Sequence, residues 1–307
     1  MASSDSPTRK RRLKRIAEGA EAGRAWLEVM FRSGLGSGSV LEGFSDLEKR
    51  MVDSQAAGLA RKFRLLGELR NTSADWQDRF VEEAGLLYLL LDSFLRLDSF
   101  PEAMQQEIMR TVGITVDSRV LNALPIQEDL WDLVVQREFK EGRLVARRSW
   151  CYGRSSQRWV CVQHYRIVNQ PFEPNLMLGQ GYRMALTMYP GSAQTRAAVK
   201  SYERVELVPP LGGCFDDTAK EYADLLGRFP WAEQIAGSVC INGLVQEGDR
   251  WYAQDLEGTW FPVKADPLGI WRVVAYSGSK RVTLFGEWDG REFYASSVGT
   301  ESGFVGL

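Results

Sequence analysis

Hydrophobic positions recur three and four residues apart between residues 74 and 98. Trp76, Phe80, Ala84, Leu87, Leu91 and Phe94 form one stripe, which Tyr88, Leu90 and Leu95 widen, the pattern of a bundle helix buried on more than one side. A second helix is predicted after Ser45, with Leu47, Met51, Leu59, Phe63 and Leu66 along one face and Asn71 as its stop. Pro101 opens a third, shorter helix, as proline does in a first turn. Ahead of these, Leu13, Ile16, Ala17, Ala20, Leu27 and Phe31 make an apolar stripe, and GLGSGS at 34–39 reads as a flexible joint.

From about residue 130 the period changes from about 3.6 to about 2. In YRMALTMY, 182–189, Met184, Leu186 and Met188 alternate with Ala185, Thr187 and Tyr189, as in a strand with one face buried and the other partly so. A helical interlude is predicted near 216–228, closed by Pro230, with Asp216 and Asp217 suited to its amino end. Strands then resume at about 240 and run to the end. Turn signals at Glu247-Gly248, Glu257-Gly258 and Ser277-Gly278 set the rhythm of a small barrel or sandwich. In EWDGRE at 287–292, Asp289-Gly290 suggests a two-residue turn that sets Trp288 against Arg291 and Phe285 against Tyr294. The fold class is therefore α+β: an N-terminal helical bundle followed by antiparallel β modules, with a short helical insertion. The expected division is a basic helix and joint at 1–40, the bundle at 41–128, one β module at 129–212, and short helices with a second β module at 213–307.

The stretch CYGRSSQRWVCVQH, 151–164, holds two of the four cysteines and the single histidine. Reading 144–152 and 157–166 as strands joined by GRSS places Trp150 opposite Trp159 and Arg148 opposite Cys161. Cys151 and Cys161 then lie on opposite faces, which argues against a disulfide between them. Cys161 and His164 are three apart on a strand and also diverge, and no second ligand pair exists to complete a zinc site. No metal and no cofactor is expected in this chain; the thiols are expected to be buried and the imidazole partly exposed.

Charge adds one asymmetry. Residues 1–32 carry eight basic and four acidic side chains in a chain whose net charge is −2, so a basic head precedes an acidic body. The run RKRRLKR (Arg9, Lys10, Arg11, Arg12, Lys14, Arg15) opposes the dipole at a helix start, so helix stability does not explain it. It is either a solvated helix end or a contact for phosphates or an acidic partner. Four widely spaced cysteines and no apolar leader favour a reducing cytoplasm, and the most apolar run, 85–97, is interrupted by Asp92 and Arg96, which argues against a membrane span. No G-x-S-x-G, P-loop or dinucleotide fingerprint is present, and a single histidine leaves few candidate bases, so no enzyme activity is expected. The C-terminal tryptophans Trp251, Trp260, Trp271 and Trp288 are expected to fill a core rather than stack on bases.

MVDSQAAGLARKFRLLGEL at 51–69, EEAGLLYLLLDSFLRLDSFP at 82–101, the run from VGITVDS through LWDLVVQREFKEGRLVARRSWCYG at 112–153, and LFGEWDG at 284–290 occur in order. Together they resemble the long C-terminal region of bacterial SWIM zinc finger family proteins, over roughly residues 10 to 300. The resemblance implies a C-x-C, C-x-H finger ahead of this region, presumed to bind DNA or protein. It also implies genomic neighbours encoding MoxR-type AAA ATPases and von Willebrand A domain proteins, and it brings no enzymatic activity. This sequence has no C-x-C, and its one cysteine-to-histidine pair has two residues between, so no zinc ligand of the family maps onto it. The implied role is an accessory or scaffold protein for a protein partner. Nucleic-acid binding through the basic segment is the alternative.

Overall fold

The computed structural model describes residues 7–34, 43–69, 76–141, 144–278, 280–301 and 303–307. The GLGSGS joint after Gly34 and the stop at Asn71 lie outside the described residues. Two compact units emerge: Met1–Asp117 with Pro190–Ser192 and Phe229–Trp231, and the remainder of the chain.

The first unit is helical, with α1 (Pro7–Ser33), α2 (Phe44–Asp53), α3 (Ala57–Glu68), α4 (Trp76–Leu95) and α5 (Glu102–Thr111). Leu87, Leu90, Leu91 and Phe94 of α4 are buried, as the double-width stripe requires, and so are Ile16, Ala20 and Leu27 of α1. The single helix predicted after Ser45 is broken at Ser54–Ala56, where Gln55 takes a left-handed φ of 62°. The apolar stripe carries no trace of the break because Met51 and Leu59, on either side of it, are both buried. Arg12 secures the corner by donating to the carbonyls of Gln55 and Gly113, each at 3.0 Å. Gly58 permits the approach of α3 to the end of α5, since a Cβ there would stand 2.0 Å from the Thr111 carbonyl oxygen.

The second unit holds α6 (Ser118–Ala123) and two β-barrels. β1 (Ile126–Glu141), β2 (Leu144–Gly153), β3 (Trp159–Ile167), β4 (Gln180–Met188) and β5 (Arg196–Val205) close in the order 1-2-3-5-4. Neighbours are antiparallel except β3 with β5, which run parallel. Trp131, Leu133, Cys151, Val160, Val162, Tyr182, Met184 and Leu186 fill this barrel. After α7 (Phe215–Arg228), the strands β6 (Ile235–Glu247), β7 (Arg250–Asp255), β8 (Trp260–Lys264), β9 (Val282–Trp288) and β10 (Phe293–Thr300) pair in the order 6-7-8-10-9, with β9 returning to β6 and β11 (Gly303–Gly306) added to β10. Here too the third and fifth strands, β8 and β10, are the parallel pair.

The two barrels thus repeat one topology, down to their irregularities. The first strand of each is bulged against the second, between Leu133 and Val135 in one and Ile241 and Gly243 in the other. The fourth and fifth strands slip in register in both, at Ala185/Leu186 and at Ala295/Ser297. This five-stranded Greek-key barrel is of the oligonucleotide/oligosaccharide-binding type. Of the barrel and sandwich expectations, the barrel holds.

Three local features differ from those expected of the sequence. The 151–164 hairpin pairs two residues out of the predicted register: Trp150 faces Cys161 and Tyr152 faces Trp159, because the loop spans Arg154–Arg158 rather than GRSS alone. Buried Asp129 shapes that loop by accepting the amides of Ser155 and Ser156 at 3.1 and 2.9 Å, and Gln157 adopts a φ of 51°. Likewise Trp288 faces Phe293, not Arg291, because Asp289 accepts the amides of Arg291 and Glu292, both at 2.8 Å, and makes a longer loop. Ser277-Gly278 is not a strand turn. It ends a helix, α8 (Pro267–Ser277), which begins at Asp266-Pro267 and stops where Gly278 turns left-handed.

Candidate functional site

A buried carboxylate with two arginines lies where the two barrels meet. The bulge in β1 brings Val134 and Val135 to the outer wall of the first barrel, where they cluster with Trp150, Cys161, Ala236 and Phe285. Glu287, on the outer face of β9, is buried against this wall and only 3% exposed. Arg148 donates to it through Nε and Nη2 at 2.5 and 2.8 Å, and the Trp150 indole N–H donates at 2.9 Å. Arg137 lies 3.5 Å from its second oxygen. Alternation makes this possible: Arg137, Arg148 and Trp150 all point outward from strands whose other residues line the barrel. Ser296, the extra residue of the β10 bulge, donates to the Gln136 carbonyl and accepts the Gln136 amide, both at 2.9 Å, so it continues the ladder of β1. The hydroxyl of Ser297 donates to the Val134 carbonyl.

Beside Glu287 opens a small cavity of about 210 Å³ lined by Arg137, Gln234, Lys264, Glu287, Asp289, Glu292 and Tyr294. It is smaller than the roughly 300 Å³ at which small-molecule pockets begin. Arg137 is engaged with Glu287 and Tyr294, and Lys264 with Glu292. The Arg137 guanidinium stacks 3.6 Å from the Tyr294 ring centre, and the Tyr294 hydroxyl donates to Asp266. Burial and that bond to Asp266 push the Tyr294 phenol up to about 12, away from any role as a base near neutrality. Two other buried carboxylates of the β unit organise backbone. Asp132 takes both arms of Arg154 at 2.7 Å and the Val208 amide. Asp255 accepts the amides of Phe215, Glu257 and Thr259, and so caps α7 and shapes the β7–β8 turn together.

Cys151 is packed inside the first barrel, where burial pushes its thiol up, while Cys161 faces the outer wall. His164 extends from the opposite face of β3 to Cys161, half-buried and beside the arginines Arg147 and Arg196. Among the described residues no three histidine, cysteine, aspartate or glutamate side chains are grouped so that they could hold a metal ion. In the basic run, Arg12 is committed to backbone carbonyls and Arg9 lies 3.8 Å from the Met109 sulfur. Lys10, Arg11, Lys14 and Arg15 are exposed along α1. The C-terminal tryptophans divide: Trp288 is buried, but Trp260 and Trp271 are 49% and 58% exposed, contrary to the core role expected of them. Trp271 stands on α8, edge-on to Trp251 at 5.4 Å.

Helical bundle and tandem barrels define an α+β protein whose charged seam joins two copies of one topology. Residues 11–112, which span the bundle from α1 to the end of α5, match the model of the SWIM-associated four-helix bundle domain, consistent with the C-terminal region of SWIM family proteins. No curated protein sequence matches the chain. Among the described residues, no helix is long and apolar enough to cross a membrane.

Glu287 and Arg148 escaped the sequence reading, because a period of 2 does not distinguish an outward face left in water from one covered by a second barrel. The signal was charge at outward positions beside tryptophan, Arg148 before Trp150 and Glu287 before Trp288. Replacing Glu287 with Ala leaves Arg148 and the Trp150 N–H unpaired, and is predicted to destabilise the β unit by about 3–5 kcal/mol. Adding Arg148→Ala should cost less than the sum of the two single changes, measured by urea unfolding.

A pH dependence follows from His164. Burial, reinforced by Arg147 and Arg196, pushes its imidazole from 6.5 down to about 4, and its Nδ1 is buried without a hydrogen-bond partner. The unfolded chain therefore binds the proton more readily. Stability from this group is complete above pH 6.5 and declines as pH falls from 6.5 towards 4. His164→Gln is predicted to reduce the loss in urea midpoint between about pH 7 and about pH 5.

Proposed function

We propose that the chain is a non-enzymatic interaction protein, an accessory or scaffold that presents its bundle and barrels to a protein partner. The observation that supports it best is the fate of the buried carboxylates. In the β unit Asp129, Asp132, Asp255 and Glu287 are all consumed in capping loops or joining barrels, and in the helical unit buried Glu107 is paired with Arg110, which is the work of a rigid display framework rather than of acid–base chemistry. The resemblance to SWIM family proteins suggests a MoxR-type AAA ATPase or a von Willebrand A domain protein as the partner, in a cytoplasmic assembly without metal or cofactor on this chain. Binding of the full chain to these two purified neighbours, followed by co-sedimentation, tests the reading. Failure of both, with no specific partner recovered otherwise, counts heavily against it.

Nucleic-acid binding is the second reading, favoured by the exposure of Lys10, Arg11, Lys14 and Arg15 on one helix. With these four of the six basic residues exposed, changing them to Gln should abolish any low-salt retention of DNA on a filter without unfolding the bundle. If wild type and variant bind equally poorly at low salt, this second reading fails.

A further inference from the structure

The repeated topology allows the same surface to be compared on both barrels. Aligning the bulges of β1 and β6 makes Val135, Trp150 and Cys161, paired across β1, β2 and β3, equivalent to Gly243, Gln254 and Trp260 across β6, β7 and β8. The next outward row is Arg137, Arg148 and Gln163 in the first barrel, and Val245, Tyr252 and Pro262 in the second. This is the face on which barrels of this type bind their ligands. In the first barrel it is filled by protein, the outer wall of β9 and β10, with Glu287 held between the two arginines. In the second barrel the face is open, and Trp260 and Val245 are 49% and 48% exposed.

The substitutions between the faces state what the open one can hold. At the positions where the first barrel offers two guanidinium groups to a carboxylate, the second offers valine and tyrosine, so an acidic ligand has lost its counter-charges. Polyphosphate is disfavoured on the same ground. Stacking surfaces are present, but the cations alongside are Arg250 and Lys264, with Lys264 3.6 Å from Glu292, against exposed Glu247, Asp249 and Glu257. An exposed indole, a phenol and a proline ring on adjacent strands, rimmed by the carboxylates Glu247, Asp249 and Glu257 as well as by Arg250 and Lys264, instead match the aromatic surfaces that receive polyproline II segments. The indole N–H and the phenol serve the unpaired carbonyls of such a segment, and the rim serves a positive side chain.

We propose that the outer face of β6, β7 and β8 binds an extended, proline-rich protein segment carrying a basic residue. The proposal rests on the interaction reading above and names the chemistry of the partner. The probes are a proline-rich dodecapeptide with one terminal arginine and a twenty-residue oligothymidylate, each titrated into the full ¹⁵N-labelled chain while the indole N–H signals are followed. The peptide should shift the Trp260 signal saturably. Its affinity should fall about tenfold or more in Trp260→Ala and in Tyr252→Ala, and should hold in Leu268→Ala, an exposed change on α8. Trp260 and Leu268 are exposed and Tyr252 is partly exposed, so circular dichroism should remain that of the wild type. Absence of saturable peptide binding, peptide binding indifferent to Trp260→Ala, or preferential binding of the oligothymidylate overturns the proposal. If a purified neighbour still co-sediments with Trp260→Ala as with wild type while the peptide fails, the platform is refuted and the interaction reading stands.

Discussion

One buried carboxylate, Glu287, fixes how the two barrels meet. Two arginines and an indole N–H converge on it from strands about 140 residues earlier, inside an otherwise apolar seam of Val134, Val135, Cys161, Ala236 and Phe285. Apolar contact alone is non-directional and would tolerate sliding of one wall over the other. A charge that loses its hydration must keep its partners, so only one docking register satisfies it. Ser296 and Ser297 reinforce that register from β10, since their hydroxyls meet backbone groups of Gln136 and Val134 beyond Leu133, where the pairing of β1 with β4 ends.

Carboxylates play a second role at shorter range. Asp129, Asp255 and Asp289 each gather two or three amides of a loop, and in doing so set the length of the hairpins around them. Gly290, at φ 90°, completes the last of these loops close to Tyr222, where a Cβ would stand 2.9 Å from the ring. The barrels are therefore specified as much by polar loop closure as by the alternation of their strands.

This division explains what the sequence made legible. The helical stripes of α1 and α4, the change of period near residue 130 and the α+β order follow from periodicity, which is a local property of the chain. The register of both hairpins was missed by two residues because it depends on side chains reaching into the loops. Asp129 lies far from GRSS in sequence, and Asp289 can serve either a tight turn or a longer one. The repeat of the barrels left no trace either, because equivalent positions share neither residue type nor charge: Arg148 answers to Tyr252 and Trp150 to Gln254. Only strand order and bulge position carry the likeness. Helix α8 was legible in principle, through Asp266-Pro267 at its start and Gly278 at its end, but its apolar middle, GIWRVVAYS, also suits a strand.

The distance in sequence between Glu287 and its partners has a consequence for synthesis. The first barrel is complete once the chain has passed Val205, yet Trp150, Cys161 and the two arginines of its outer wall wait for β9 and β10, some eighty residues later. A ribosome adding roughly 5–20 residues per second leaves that wall uncovered for several seconds. During this interval Arg137 and Arg148 do more than await a partner. Two guanidinium groups beside an exposed tryptophan keep a half-made surface hydrated and self-repelling, so the charges that later lock the seam first protect the nascent chain from sticking to its neighbours.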